Sequence, residues 1–272
     1  MYLVIDTGGT TTRGAGSENG NTLSKTKIIP TEHDFEKGIT LINQTADELS
    51  NKEKITAIAG GIAGPLDHAK SMLIKSPHIA GWVHKPLKQE LERVFECKVY
   101  LENDTAVGGL GEAVFGAGKD RKIVAYLAIG TGVGGCRIVN GQIDANSLGF
   151  EPGHQIILEN GSPCNCGGKG HLETLVGGYY LERAYKQKAK DITDIDIWKE
   201  VAKYLSLGLS NTIVHWSPDV VVLGGGVTQH IPLEEIRKHV AKYLTIFPNP
   251  PEIVKANLGN EAGLFGALKL IS

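Results

Sequence analysis

One loop-rich segment, residues 151–173, gathers the side chains that are best suited to bind a metal. Cys164 and Cys166 lie two residues apart, His154 lies ten residues before the first cysteine, and His171 lies five after the second. Thiolate and imidazole are ligands that tetrahedral zinc accepts, so the spacing predicts one structural zinc ion held by these four side chains. The alternative is that both cysteines are ordinary thiols on a glycine-rich loop, which is the usual interpretation of an isolated Cys-x-Cys pair.

Two acids, Glu151 and Glu173, lie at the two ends of the same segment. Carboxylates fixed in a partly dry pocket accept hydrogen bonds from the neighbouring hydroxyls of a polyol, so the pair suits a sugar. Paired acids also suit a glycosidase. We set that alternative aside because the chain has phosphate-binding turns, which a glycosidase would not use.

Two turns rich in glycine and threonine follow apolar strands and have the composition of phosphate-binding loops. The first follows residues 2–5 and begins after Asp6, and the second follows the apolar run 123–129. Backbone N–H groups and hydroxyls in such turns can donate to phosphate oxygens. Each turn alone could equally be a tight hairpin without a ligand, and the presence of two makes the phosphate interpretation stronger.

The second turn also matches the Gly-x-Gly-x-x-Gly fingerprint of dinucleotide-binding folds, with Glu151 about 20 residues later. That fingerprint requires a helix that begins at the glycines. Residues 136–143 instead have the pattern of a strand that turns at Asn140-Gly141. A Walker loop is excluded as well, because residues 116–119 lack the upstream glycine and the following Ser or Thr.

Composition and charge narrow the class of protein. The chain has 272 residues and a formal net charge of -2, which provides no field for nucleic acid or for an anionic membrane. Neither a signal peptide nor an apolar run of about 20 residues is apparent, so we expect a cytoplasmic protein without a membrane partner. Strands alternate with helical patterns, such as those at about 178–215, 232–245 and 260–271, and this alternation predicts an α/β fold.

Nine motifs, which lie in the same order as in the family, resemble the ROK family of sugar kinases and repressors, within the actin and sugar kinase superfamily. The first is DTGGTTTR at residues 6–13, in the form DxGGTxxR. The others are GGIAGPLD (60–67), SPHIAGW (76–82), LENDTAVGGLGE (101–112), AIGTGVGGCR (128–137), EPGH (151–154) with CNCGGKGHLE (164–173), VVVLGGGV (220–227) and GNEAGLFGAL (259–268). The resemblance implies two ribonuclease-H-like lobes of the actin-like ATPase type, with nucleotide and sugar in the cleft between them.

The resemblance also implies a division of the chain. Residues 1–105 would form the N-terminal lobe, with the first phosphate turn and sugar loops. Residues 106–259 would form the C-terminal lobe, with the second phosphate turn, the metal-bearing sugar loop and the adenosine motif. The helix at 260–272 would pack back on the first lobe.

By the same resemblance, ATP and a catalytic Mg²⁺ would bind at three loops, with Asp6 near the magnesium ion. The expected nucleotide-binding residues are Asp6, Gly8, Gly9, Thr10, Thr11, Gly130, Thr131, Gly132, Gly224, Gly225 and Gly226. Asp104 matches the catalytic base that accepts the proton of a sugar hydroxyl. The expected sugar-binding residues are Gly64, Asn103, Asp104, Glu151, His154 and Glu173. The alternative for Asp104 is a helix N-cap.

Two positions depart from the family pattern. His171 stands where the family has the third cysteine of its CxCGxxGC segment, so the metal ligands would be two Cys and two His. His78 stands where the family commonly has Asn, which bears on sugar specificity.

These observations predict an ATP-dependent kinase that phosphorylates a hexose or N-acetylhexosamine at the 6-hydroxyl, and the family resemblance implies a homodimer. Glucose, N-acetylmannosamine and fructose are all candidate substrates. A sugar-sensing regulator of the same family would need a DNA-binding helix-turn-helix ahead of Asp6, which only five residues precede. A catalytically idle sugar-binding protein is the other alternative.

Overall fold

The computed structural model describes residues 1–76 and 79–271, so the expectation for His78 lies outside the described residues. The chain divides into two compact units. One comprises Met1–Phe115 together with the segment from Asn260 onward, and the other comprises Gly116–Gly259. The domain division expected at residue 105 stays a prediction.

The first unit is built on a five-stranded sheet in the order β3-β2-β1-β4-β5. Its strands are β1 (Tyr2–Thr7), β2 (Thr11–Ser17), β3 (Lys27–Pro30), β4 (Ala57–Ile62) and β5 (Lys98–Asn103). Its helices are α1 (Phe35–Ser50), α2 (Leu87–Phe95), α3 (Asp104–Val114) and, from the end of the chain, α8 (Ala262–Ile271). Strand β1 is antiparallel to β2 and parallel to β4, and β4 is parallel to β5.

Both faces of this sheet are covered, which is why its central strands are apolar without alternation. Successive strand residues point to opposite faces. Leu3 and Ile5 accordingly lie in one core cluster with Phe35 of α1, and Val4 lies in another with Leu264 of α8. The polar ends of β1 and β5 are therefore presented at one edge of a fully supported sheet.

The second unit repeats the same plan, with the sheet order β10-β9-β6-β7-β8. Its strands are β6 (Ile123–Ile129), β7 (Val133–Val139), β8 (Gln142–Ile143), β9 (Val220–Gly224) and β10 (Glu252–Lys255). Its helices are α4 (Glu173–Val176), α5 (Gly178–Tyr185), α6 (Ile195–Trp216) and α7 (Leu233–Tyr243). Strand β6 is antiparallel to β7 and parallel to β9, and β9 is parallel to β10.

The two mixed sheets confirm the predicted α/β fold class. The helical region expected at about 178–215 is wrong in one detail, since it is interrupted between α5 and α6. Lys186 ends α5 in the left-handed conformation, and Asp194 caps α6 by accepting from the N–H of Asp196. Within residues 1–76 and 79–271, none of the helices combines the length and the apolar character needed to cross a membrane.

Candidate functional site

The first glycine- and threonine-rich turn connects β1 to β2. The N–H of Gly8 donates to the carbonyl of Thr11 at 3.0 Å and closes the turn. Thr31, which follows β3, supports it from the side: its hydroxyl donates to the carbonyl of Gly8 at 2.8 Å, and its N–H donates to the carbonyl of Thr10 at 3.0 Å. Thr31 is not apparent from the sequence, because its contact with the turn depends on the pairing of β2 with β3.

Asp6 is the carboxylate of this turn, and it carries a perturbed pKa. Its Oδ2 lies 3.6 Å from the guanidinium of Arg13, the residue opposite it on β2. Burial, followed by repulsion from the charge of Asp104, raises the pKa of Asp6 to about 6, and Arg13 opposes the shift. Burial and Asp104 destabilise the ionised form of this carboxylate, and Arg13 compensates only in part. Such a carboxylate is well suited to bind a cation.

The beginning of α8 packs against Asp6. A Cβ atom at Gly263 would lie 2.7 Å from Cγ of Asp6, so only glycine lets this helix pack so closely. Gly263 lies in the motif at residues 259–268, but the sequence alone predicts no role for it. Its position in a helix rich in small residues indicates close packing, but the sequence does not show that the packing partner is Asp6.

The Asn103–Asp104 pair lies where β5 passes into α3. Asn103 is the N-cap, since its side-chain oxygen accepts from the N–H of Ala106 at 3.1 Å, so the alternative of Asp104 as the cap is wrong. The amide nitrogen of Asn103 donates to the carbonyl of Gly64 at 3.2 Å. Gly64 has a φ of 135°, a conformation that glycine adopts readily and other residues rarely do.

At the end of β5, the side-chain amide of Asn103 keeps hydrogen-bonding capacity for a ligand. An amide oxygen accepts two hydrogen bonds and an amide nitrogen donates two, so each atom of Asn103 retains capacity for a ligand hydroxyl. Asp104 begins α3, and the N–H of Thr105 donates to its Oδ1 at 2.7 Å. Its charge acts on Asp6 in the same unit. Asp6, Gly64, Asn103 and Asp104 thus share one edge of the first sheet.

The second turn, residues 130–132, connects β6 to β7 and is held by the beginning of α5. The N–H of Gly130 donates to the carbonyl of Gly132 at 2.9 Å. The N–H groups of Gly178 and Tyr179 donate to the carbonyls of Gly130 and Thr131 at 2.8 and 3.0 Å. The backbone N–H groups of this turn are its potential contribution to phosphate binding.

A cavity of about 490 Å³ adjoins the second turn, and its walls include two of the predicted nucleotide-binding loops. Gly130 and Thr131 of the turn and Gly226, which follows β9, line it. Its other walls come from α5, from the chain that follows α5 and from the chain after β9: Gly178, Tyr179, Glu182, Lys188, Ala189, Lys190, Val227 and His230. The wall residues between 178 and 190 are not apparent from the sequence, because no local pattern connects them to the turn. The His230 ring is stacked on that of the buried Trp198, with centroids 5.2 Å apart.

The two acids of the segment 151–173 lie close enough to influence each other. Burial raises the pKa of Glu151 above its ordinary value, His154 opposes the shift, and the charge of Glu173 adds to it. Nε2 of His154 lies 3.8 Å from Oε2 of Glu151. Glu173 begins α4, and its Oε2 accepts the N–H of Val133 at 2.9 Å. Both predicted acids of the sugar pocket are therefore in one place in the second unit.

The four predicted metal ligands converge. The ligand atoms of His154, Cys164, Cys166 and His171 all lie within 4.8 Å of one another. The two Nδ1 atoms are 3.3 Å apart, Cys164 Sγ is 3.8 Å from Nδ1 of His154, and Cys166 Sγ is 3.5 Å from Nδ1 of His171. Tetrahedral zinc at ordinary bond lengths requires about 3.4 Å between two nitrogens and about 3.6 Å between nitrogen and sulfur. The residues present fit that ion.

His171 fits because the loop makes room for its ring. A Cβ atom at Gly168 would lie 2.6 Å from Cε1 of His171, so the glycine accommodates an imidazole where a thiol would need less space. With Nδ1 of His154 facing the cluster and Nε2 facing Glu151, the same ring adjoins both the metal ligands and the acids. Such an outer contact is a common means of fixing the orientation of a metal-binding histidine.

The chain is similar to known proteins over nearly its whole length. The model of the ROK family matches residues 2–272. A glucokinase from Thermotoga maritima is 30% identical, with 98% of this chain and 96% of the relative covered. A ROK hexokinase structure from Thermus thermophilus superposes with a TM-score of 0.89 at 29% identity, over 98% of this chain and 97% of the other. A ROK glucokinase from Streptomyces griseus, in complex with glucose and AMPPNP, gives 0.83 at 26% identity over 99% and 98%.

Proposed function

Because the chain belongs to the ROK family over residues 2–272, we propose that it is an ATP-dependent sugar kinase that phosphorylates the 6-hydroxyl of a hexose or N-acetylhexosamine. The observation that carries this proposal is the position of Asp104, at the end of β5 in the same unit as Asp6 and the first phosphate turn. Phosphoryl transfer is catalysed mostly by positioning and by charge neutralisation, and the chain provides groups for both.

The nucleotide is assigned to the two turns and to the chain that follows β9. Backbone N–H groups of Gly8, Gly9, Thr10 and Thr11, and of Gly130, Thr131 and Gly132, would hold the phosphates. The cavity lined by Gly226 and His230 would receive the adenosine. Its volume of about 490 Å³ is within the range of ordinary ligand pockets. Gly224 and Gly225 lead from β9 to this cavity.

Asp6 would hold the magnesium ion, directly or through water. Its raised pKa, about 6, reflects a charge that the protein compensates only in part, with Arg13 as the nearest cation. Carboxylate oxygen is the ligand that Mg²⁺ prefers. When bound, magnesium neutralises charge on the phosphates.

Asp104 would accept the proton of the sugar hydroxyl as that oxygen attacks the γ-phosphate. Asn103, fixed by its cap and by Gly64, would bind a neighbouring hydroxyl with its remaining hydrogen-bonding capacity. Glu151, His154 and Glu173 would bind the other hydroxyls. Burial raises the pKa of Glu151 and repulsion from Glu173 adds to the shift, and hydroxyl donors would relieve that repulsion.

Zinc is assigned a structural role at His154, Cys164, Cys166 and His171, whose distances fit a tetrahedral ion. When bound, zinc supplies a rigid tether for the loop and no step of the reaction. The chain's own residues Glu151 and Glu173 then stay in fixed positions. A homodimer and a cytoplasmic location stay predictions.

The replacement of Asp104 by Asn tests the assignment. Asp104→Asn keeps the shape of the side chain and removes the base, so turnover with Mg-ATP should fall about 10²-fold or more while AMPPNP binding changes little. Turnover is measured by ADP release over a panel of hexoses and N-acetylhexosamines.

Asp34→Asn is the matched control. Asp34 caps α1 and accepts from the N–H of Lys37, and Asn retains that function, so this variant should keep wild-type turnover. Turnover of Asp104→Asn within threefold of the wild type would overturn the role of Asp104. Failure of the wild type to consume ATP with any sugar of the panel would overturn the proposed function itself.

A further inference from the structure

The carboxylate of Glu173 contacts the second phosphate turn directly. Its Oε2 accepts the N–H of Val133, the first residue of β7, at 2.9 Å. A Cβ atom at Gly132 would lie 2.3 Å from the same oxygen, so the glycine provides the space that the carboxylate occupies. The contact joins residues 40 positions apart in the chain, and it is made by a side chain that the family resemblance assigns to the sugar.

The same short region holds the turn at two further points. Gly178 and Tyr179, at the beginning of α5, donate their N–H groups to the carbonyls of Gly130 and Thr131. Helix α4, which Glu173 begins, ends at Val176 and passes through Gly177 directly into α5. Three hydrogen bonds therefore reach the turn from one continuous segment, and only the one from Glu173 involves a side chain.

The other side of Glu173 faces the sugar loop. Its Oε1 lies 3.8 Å from Sγ of Cys164, one of the four candidate metal ligands. Glu173 is thus in contact with the phosphate turn through one oxygen and close to the metal-bearing loop through the other. A change in either region can reach the other through this carboxylate.

From this geometry we propose that Glu173 is a positioning residue that fixes the second phosphate turn, and that it couples the sugar loop to nucleotide binding. The inference rests on the proposed function for its ligands, but the contact itself can be tested without activity. A residue that only bound sugar would leave the turn unchanged when no sugar is present.

The first experiment measures amide hydrogen exchange in the segment 130–134 of the ligand-free protein. Glu173→Ala removes the acceptor, and hydrogen bonds to charged groups are strong enough that exchange at Val133 should accelerate at least tenfold. Glu173→Gln keeps an oxygen acceptor and should remain within threefold of the wild type. Glu151→Ala removes the other acid of the loop, whose Oε2 lies 3.8 Å from Nε2 of His154, and should also leave this segment unchanged.

The second experiment measures the affinity for Mg-AMPPNP in the absence of sugar. Glu173→Ala should bind at least fivefold more weakly, Glu173→Gln should restore binding to within twofold, and Glu151→Ala should bind as the wild type does. Equal exchange and equal affinity in Glu173→Ala and the wild type would overturn the proposal. If exchange responds as expected but no variant, nor the wild type, binds AMPPNP, the contact is real and the proposed nucleotide function fails.

Two glycine variants provide a test in which the glutamate is retained. Gly132→Ala places a methyl group against Oε2 of Glu173, whereas a Cβ at Gly130 would meet no heavy atom of the described residues within 4 Å. Exchange at Val133 should accelerate at least tenfold in Gly132→Ala and stay within threefold in Gly130→Ala. Equal exchange in the two variants would contradict the proposal, and this pair remains informative if Glu173→Ala does not fold.

Discussion

The two glycine- and threonine-rich turns occupy equivalent positions in two sheets of the same topology, yet their surroundings differ in charge. In the first sheet Asp6 pairs with Arg13 on one side and with Gly61 on the other. In the second sheet the equivalent strand position is Ala128, paired with Gly134 and Gly224. The first turn is flanked by the Asp6–Arg13 ion pair on its strands, whereas Ala128, Gly134 and Gly224 at the equivalent positions of the second sheet carry no charge.

The second turn obtains its carboxylate from a distance, because Glu173 contacts it from α4. The two units therefore share the strand-turn-strand backbone but place charge beside it differently, from strand β1 in the first unit and from helix α4 in the second. In the first unit, burial of Asp6 destabilises its ionised form, as the raised pKa of this residue shows. The second unit adds a cluster of potential metal ligands in the segment that supports its turn.

The largest expected effect concerns metal, which should stabilise only the second unit. At a free zinc concentration about a thousandfold above its dissociation constant, the free energy of unfolding should rise by about 4 kcal/mol relative to chelated protein. Hydrogen exchange should slow in residues 151–177 and stay unchanged in β1–β5. Cys164→Ser should lose stoichiometric zinc by atomic absorption, whereas Cys97→Ser, which changes a thiol of the first unit, should retain it. Full zinc occupancy in Cys164→Ser would contradict the assignment.

The second effect concerns the acid that only the first turn possesses. The pKa of Asp6 is raised from 3.8 to about 6, so the folded protein binds more protons between these values and loses stability as the pH rises through them. Asp6→Asn should therefore increase the free energy of unfolding, without ATP or magnesium, by about 3 kcal/mol at pH 7.5 and by about half of that at pH 5. Denaturant unfolding at both pH values measures this.

Asp67→Asn serves as a control with the opposite sign. Burial alone would raise the pKa of Asp67, but hydrogen bonds donated by the N–H groups of Ser71 and Met72 and by the Ser71 hydroxyl outweigh it and lower the pKa. The ionised form is then favoured in the folded protein, and Asp67→Asn should lose stability at pH 7.5. No gain in Asp6→Asn would show that the charge of Asp6 is compensated in the folded protein. A gain in Asp67→Asn would mean that a gain on removing an acid is not specific to Asp6.

The smallest effect concerns the support of the first turn. Thr31 is 7% exposed, and its hydroxyl donates to the carbonyl of Gly8, whereas the carbonyls of the second turn receive backbone N–H groups. Thr31→Val leaves the Gly8 carbonyl without that donor and should cost about 1 to 2 kcal/mol in thermal unfolding. Thr40→Val, which removes a hydroxyl bonded within α1, should change stability by no more than about 0.5 kcal/mol. Equal losses in the two variants would mean that Thr31 does not support the turn specifically.

Much of the fold could be predicted because its signals are local. The apolar runs at β1, β6 and β9 and the glycine turns after β1 and β6 are visible in short windows of sequence. Strands β3 and β10 were not predicted, since each is four residues long and is identified by its pairing with a neighbour. The metal ligands were also within reach of sequence, because three of the four lie within eight residues.

Sequence by itself determined the residue types at the turns, the order of the motifs and the set of potential metal ligands, since these depend on neighbours in the chain. The tertiary structure decided which carboxylate contacts which turn, which side of His154 faces the cluster, and how far burial raises the pKa of Asp6. These properties depend on distances between residues such as Val133 and Glu173 that are far apart in sequence. Such distances are set by packing, and no local pattern encodes them.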